Sequence, residues 1–275
     1  MIIHFYKPHD QLKSIVSNLM IYNAELDPEQ PPVISVHPPV PEHCLYFYPR
    51  TPCVSHSQQT GERKEHPHCL IVGPVIERVN LSIGHDHIVI RVGFHPGGLY
   101  RLLGLPTHEL FNHPLDGYDL FGQQIKEVNE QLALAQDYET MKNIVETFLL
   151  IKAMQGKVKE KFDDLMAVLM RQEAILRVEE VADEACMSFR QLERKFKERL
   201  GMPPKLFLKL IRFSKAYRMH ESQPALRWTD IAHINGYFDQ AHLIRDFRQF
   251  TGVAPRAIET ELAQTPLRLQ AHYLF

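Results

Sequence analysis

The sequence predicts an α+β protein of two domains: a small β-barrel with two trailing helices, then an all-α unit carrying two helix-turn-helix motifs. Three observations point there. Short runs rich in β-branched and aromatic residues, broken by Pro, Gly and Asp turns, fill the chain to about residue 115. From Tyr118 the apolar residues switch to helical spacing. One pattern then occurs twice, ending at Pro204 and at Pro255: a short apolar helix, a turn, a second helix with arginines, and Gly-x-x-Pro.

The barrel is read over about residues 1–115. Its clearest strands are His43 to Tyr48, His68 to Val72, Arg78 to Ile83 and His87 to Phe94. Several short strands at close spacing suggest a barrel or sandwich. Gln11 to Met20, with Leu12, Ile15, Val16 and Leu19, fits either a helix or a strand lead-in. Tyr46, Phe47 and Tyr48 alternate faces, so some line a cavity or all fill the interior.

Two helices follow, over about residues 117–152. Leu120, Ile125, Val128 and Leu132 mark the first; Met141, Ile144, Val145, Phe148 and Leu149 mark the second, with Asp137 as its cap. Such stripes must be buried against the barrel, each other or a second subunit. Val128, Leu132, Met141 and Val145 are the expected dimerisation contacts. The first domain therefore spans 1–155. A hinge at Lys152 to Lys159, containing Gly156, leads into a second domain over 160–275, which opens with a scaffold helix from Lys161 to Arg171.

The motifs fall at about 178–200 and 228–250, joined by a helix at about 204–222. Ala182 and Ala232 are small enough to let helices cross closely. Gly236 supplies the positive φ of a sharp bend, and Ser188 and Asp239 are expected N-caps. Leu192, Phe196 and Leu200 recur on one buried stripe, leaving Arg190, Gln191 and Arg194 opposite. In the second copy Leu243, Phe247 and Phe250 face inward, while Gln240, Ala241, His242 and Arg245 face out. Long donors on such a face suit base edges in a major groove. A joining helix of that length runs ~28 Å at ~1.5 Å per residue, against ~34 Å between successive major grooves.

From about Ala174 to Ile258 the chain resembles the DNA-binding domain of the AraC/XylS family of bacterial transcription regulators. The carrying residues are Glu180-Val-Ala, Ser188, Leu192, Arg194, Phe196, Gly201-Met-x-Pro, Ile231-Ala, Gly236-Tyr-Phe, Gln240, Arg245, Phe247 and Gly252-x-x-Pro255. Cys186 stands where the family usually has glycine, which predicts a strained or opened bend. Asn235 replaces an apolar residue, and Glu193 and Asp246 put acid within the reading helices. The resemblance implies a cupin-like sensor barrel with an unidentified small-molecule effector. Its implied partners are double-stranded DNA, a second copy of the chain through the N-terminal domain, and RNA polymerase. The expected base-reading set is Arg190, Gln191, Arg194, Gln240, Ala241, His242 and Arg245; the expected phosphate contacts are Ser188, Lys195, Lys197, Lys205, Lys209 and Arg248.

A formal net charge of −2 over 275 residues hides a local excess. Between Cys186 and Arg218 ten basic residues face only Glu193 and Glu198, a net of +8. Cys44, Cys53, Cys69 and Cys186 form no paired motif, the N-terminus lacks a signal-peptide pattern, and no apolar run reaches spanning length, so a reducing cytoplasm is expected. His66, His68 and Cys69, like His85 and His87, alternate as ligands can, but with no evident downstream carboxylate they read as loop and strand-end residues; neither metal nor cofactor is expected. Phe94-His-Pro-Gly-Gly98 reads as a tight strand-to-helix turn before it reads as an anion cradle. Apolar residues after Glu261 hint at a docked tail. No nucleophile elbow, phosphate loop or zincin helix occurs, and Cys44, Cys53 and Cys69 lack the clustering of a methyl-accepting repair protein, so no enzyme is expected. The reading is a ligand-responsive regulator; the alternative is a DNA-binding module whose front half only dimerises.

Overall fold

The computed structural model describes residues 2–57, 61–171 and 177–263. Its first part contains β1 (Ile2–Tyr6), β2 (Val16–Glu25), β3 (Val33–His37), β4 (His43–Phe47), β5 (Val54–Ser57), β6 (Arg63–Glu65), β7 (Cys69–Val72), β8 (Val79–Ile83) and β9 (Asp86–Phe94). After a short helix α1 (Gly98–Leu103) comes the small edge strand β10 (Leu115–Asp116). The strands form two antiparallel sheets, ordered β1-β2-β9-β4-β7-β10 and β3-β8-β5-β6. Among the described residues no ladder joins one sheet to the other, so the expected barrel is an open two-sheet sandwich. Each sheet ends on one side in a very short strand, β6 of three residues and β10 of two.

The stretch that read as helix or strand resolves into a single 3-10 turn at Asp10–Leu12 and then β2, ten residues long. β2 is buried nearly throughout because both faces of the larger sheet are covered. One face carries Leu19, Ile21, Leu45, Phe47, Ile71, Ile90 and Val92 towards helices. The other carries Met20, Tyr22, Tyr48, Leu70 and Val89 towards the smaller sheet.

The helical cover is α2 (Gly117–Phe121), α3 (Gln123–Leu134) and α4 (Tyr138–Met154), the last capped by Asp137, whose carboxylate accepts from the Thr140 amide at 2.8 Å. Here the expected dimer face is corrected. Val128, Leu132, Met141 and Val145 are all buried in the domain's own core with Phe47, Phe148 and Leu149. The stripes are already used, each buried aliphatic side chain contributing ~1.5–3 kcal/mol to this domain. A charge at Leu132 would break the fold instead of splitting a dimer.

The second part is helical: α5 (Lys161–Arg171), α6 (Val178–Glu184), α7 (Phe189–Leu200), α8 (Pro204–Ser222), α9 (Trp228–Ile234), α10 (Gln240–Thr251) and α11 (Pro255–Ala263). Pro204 opens α8, where its missing N–H costs nothing. α8 runs through the middle of one core. Phe207 meets Phe196 edge-on at 5.6 Å, and Phe213 meets Phe247 at 4.9 Å. α5 joins this core through Phe162, Met166 and Leu169. The start of the family-like stretch at Ala174, and the tail from 264 onward, lie outside the described residues.

Candidate nucleic-acid interface

The two turns are built alike. In the first, the Met187 amide donates to the Ala182 carbonyl at 3.0 Å; in the second, Tyr237 donates to Ala232 at 3.0 Å. The residue at the bend has positive φ in both: Cys186 at 51° and Gly236 at 70°. Cys186 therefore holds a left-handed conformation that costs an L-residue ~1–2 kcal/mol, which is the strain its departure from glycine predicts. The second turn has one extra residue, Phe238, 93% exposed. Beyond it the copies align residue for residue, Leu192 with Leu243, Arg194 with Arg245, Phe196 with Phe247.

Both second helices are capped as expected. The Ser188 hydroxyl accepts from the Gln191 amide while the Gln191 side chain accepts from the Ser188 amide at 2.9 Å, a capping box. The Asp239 carboxylate accepts from the His242 amide at 2.7 Å. Arg190, Gln191, Arg194 and Lys197 lie exposed on α7, and Gln240, Ala241, Arg245 and Arg248 on α10. Lys205, at the start of α8, is exposed too. Ser188 and Gln191 sit on this surface but have a structural task, since each completes the other's cap.

Three expected contacts point elsewhere. Lys195 bonds to Glu160 at 2.6 Å, and Lys209 pairs with Asp246 at 3.0 Å. His242 packs edge-on to Tyr237, with its Nε2 3.0 Å from the Arg212 guanidinium. Burial and the neighbouring Arg212 charge both push the His242 pKa down, so it stays neutral. Asp246 does not put acid on the reading face. It is buried against α8, where Lys209 and Arg212 hold it. Asn235 is also buried, its amide donating to the Ile231 carbonyl at 2.9 Å.

A buried network was not legible in the sequence. Arg199, 1% exposed, donates to both Asp163 oxygens at 2.7 Å and to Glu160, with the Tyr100 ring 4.7 Å from its guanidinium. The Tyr100 hydroxyl donates to Glu198 at 2.6 Å, which pushes its pKa up to about 12. Thr107 donates to the Glu198 carbonyl at 3.2 Å. Gly201, with φ 75°, caps α7 so closely that a Cβ there would sit 2.4 Å from Pro74 and 2.8 Å from the Thr107 carbonyl. The one sequence signal was position: Arg199 falls on the Phe196 side of α7. As a result α7 opens onto a cleft that His108 and Phe111 of the N-terminal domain share with Arg190, Arg194 and Lys197.

A second cavity, of about 160 Å³, lies between the two sheets, with His37, Tyr46, Tyr48, His66, Leu70 and Leu81 in its wall. His66 and His68 do not converge with Cys69. His66 meets the Tyr48 hydroxyl at 3.1 Å, His68 lies 2.7 Å from the Tyr48 carbonyl, and Cys69 is buried on the opposite, helix-facing side. Phe94 to Gly98 makes the tight turn into α1, with the Gly98 amide donating to the His95 carbonyl at 2.7 Å.

Two helix-turn-helix units packed on one central helix define a double helix-turn-helix fold. The family described as Helix-turn-helix domain matches residues 181–260, the stretch that holds both turns. Residues 4–116 match the family described as Domain of unknown function (DUF6597). No curated protein matches the chain. Among solved structures, an apo ToxT variant from Vibrio cholerae is similar at 11% identity, over 88% of this chain and 96% of that one, with TM-score 0.49. Wild-type ToxT from the same organism, bound to an unsaturated fatty acid, is similar at 12% identity over 92% and 96%, with TM-score 0.45. The AraC-like transcriptional activator CuxR is similar at 14% identity over 79% and 87%, with TM-score 0.25. Among the described residues no helix is long and apolar enough to cross a membrane.

Proposed function

We propose that the protein is a sequence-specific DNA-binding transcriptional regulator whose N-terminal domain responds to a small molecule. The observation that carries the DNA-binding part is the matched pair Arg194 and Arg245, exposed at equivalent places on helices that share one scaffold, α8. Planar guanidinium groups so placed read guanine edges bidentately, and Arg190, Lys197, Lys205 and Arg248 around them meet phosphates.

Responsiveness is supported by the route between the inter-sheet cavity and α7. Gly73 and Val75 belong to the cavity wall, and Pro74 between them abuts Gly201 at the end of α7. A ligand that shifts this wall shifts the cap of the first reading helix. This linkage favours a sensing front half over one that only dimerises.

The test is binding of the full chain to duplex DNA at rising salt, followed by fluorescence anisotropy. Phosphate contacts make affinity fall steeply as salt rises. A flat response would contradict the reading.

A further inference from the structure

We infer that the inter-sheet cavity takes an uncharged, single-ring aromatic molecule bearing one hydroxyl group, of the phenol class. This rests on the reading of the N-terminal domain as the sensing half, and it names the chemistry that half would recognise.

Size comes first. The cavity of about 160 Å³ continues into a void of about 40 Å³ bounded by Tyr22, Cys53, His87 and Val89, with His37, Tyr46, Tyr48 and Leu81 in both walls. A protein cavity of ~150 Å³ holds benzene, whereas sites for drug-sized ligands run to ~300–1,000 Å³. One ring fits the larger part and a substituent of one or two atoms reaches the smaller. A long acyl chain does not fit.

Shape follows from the strand. Tyr46 and Tyr48 lie on the same face of the sheet, their rings 6.4 Å apart and within 10° of parallel. The two parallel rings present aromatic faces and edges to the cavity, suited to contact with a planar ring. Leu70 and Leu81 add apolar walls.

The polar groups select the substituent. Most are already occupied. Tyr48 meets His66, the Cys53 sulfur lies 3.6 Å from His87 Nε2, and His87 Nδ1 is 3.1 Å from the Thr51 carbonyl. Among the described residues the Tyr22 hydroxyl, on a side chain 1% exposed, has no partner, and neither has His37 Nε2. Buried polar atoms are rarely left unpaired. A hydroxyl, which both donates and accepts, can satisfy the pair.

Charge completes the selection. Arg91 is the cation in this wall, and it is buried with Glu42 and donates to Asn18 at 2.8 Å. Burial holds His37 and His66 down at about 4 and pushes Cys53 up to about 12, so these groups are neutral near pH 7. Glu77 in the lining adds negative charge. A carboxylate entering here would lose its hydration and find, among the described lining residues, no free cation to replace it.

The test is calorimetric titration of the full chain with phenol, benzene, benzoate and oleate, on the unmodified protein and on Tyr22→Phe. Saturable binding of phenol is expected, with benzene weaker by roughly tenfold for the lost hydrogen bonds, and no binding of benzoate or oleate. Tyr22→Phe keeps the ring and the packing; it is expected to weaken phenol by roughly tenfold and to leave benzene unchanged, which also reports that the cavity is intact. Absence of phenol binding, tighter binding of benzoate or oleate, or an unchanged phenol affinity in Tyr22→Phe would each overturn the inference. DNA affinity measured alongside separates the two proposals. DNA binding without phenol binding removes this inference alone. Phenol binding that leaves DNA affinity unchanged removes the effector coupling and keeps the site.

Discussion

The first helix-turn-helix unit leans on the N-terminal domain, whereas the second is held by its own neighbours. α7 meets Tyr100, Thr107 and Pro74 through Glu198, Arg199 and Gly201. α10 packs on α8, α9 and α11. The divergence shows at equivalent positions. Where the second unit buries Phe250 against Phe213 at 4.9 Å, the first buries Arg199 against Asp163. Where the second buries Asp246 beneath Lys209 and Arg212, the first turns Lys195 out to Glu160. One pattern therefore specifies two kinds of anchorage: one contained within the helical unit, and one that ties its second helix to another domain. The N-terminal domain touches α7 directly, through Tyr100 and Thr107.

The largest expected effect is at Arg199. Arg199→Ala leaves Asp163 buried without its cation and is expected to destabilise the protein by ~3–5 kcal/mol, measured by chemical denaturation. A loss below ~1 kcal/mol would mean the network behaves like a surface pair. Next is the cap. Gly201→Ala meets Pro74 and Thr107 as well as the cost of a positive φ, and is expected to lose ~2–4 kcal/mol. Gly236→Ala, in the second unit, with φ 70° and open space where a Cβ would sit, is expected to lose only the backbone share of ~1–2 kcal/mol. Equal losses would remove the distinction between the units.

Acid should act on the N-terminal domain. Burial holds His37, His43 and His66 near 4 in the fold against an ordinary 6.5. Between those values the unfolded chain binds more protons, so stability present at neutral pH is lost as pH falls from about 6.5 towards about 4. Melting followed by circular dichroism at pH 7 and pH 5 checks this; an unchanged midpoint would contradict it. The smallest effect belongs to the first turn. Cys186→Gly relieves a strained φ at some cost in chain entropy, for a net gain of up to ~1 kcal/mol.

Much of this contrast lay beyond the sequence, for definable reasons. The repeated pattern, the caps at Ser188 and Asp239, the bend at Gly236 and the length of α8 depend on local chemistry, and each is readable from a few adjacent residues. Strands with clean turns at both ends, such as β4 and β9, were equally visible. β2 was not, because a strand buried on both faces shows no alternation. The stripes of α3 and α4 were found, but periodicity says which face is apolar and not what covers it. Val128 and Leu132 therefore looked available when they were already buried. Charge carries the same ambiguity: Lys195, Lys209 and Asp246 sit where a reading face or a scaffold contact would each place a charged side chain, and only packing decides.

In the proposed function two matched arginines, Arg194 and Arg245, on differently anchored helices read DNA sequence. Its most direct test is binding of the unmodified chain, Arg194→Ala and Arg245→Ala to a randomised duplex library, with the selected sequences read out. Each variant is expected to lose ~1–3 kcal/mol on the preferred site and to relax selectivity at its own position only, the two positions lying about one helical turn apart. Uniform losses across all sequences, with selectivity unchanged, would contradict it and reduce both arginines to phosphate contacts.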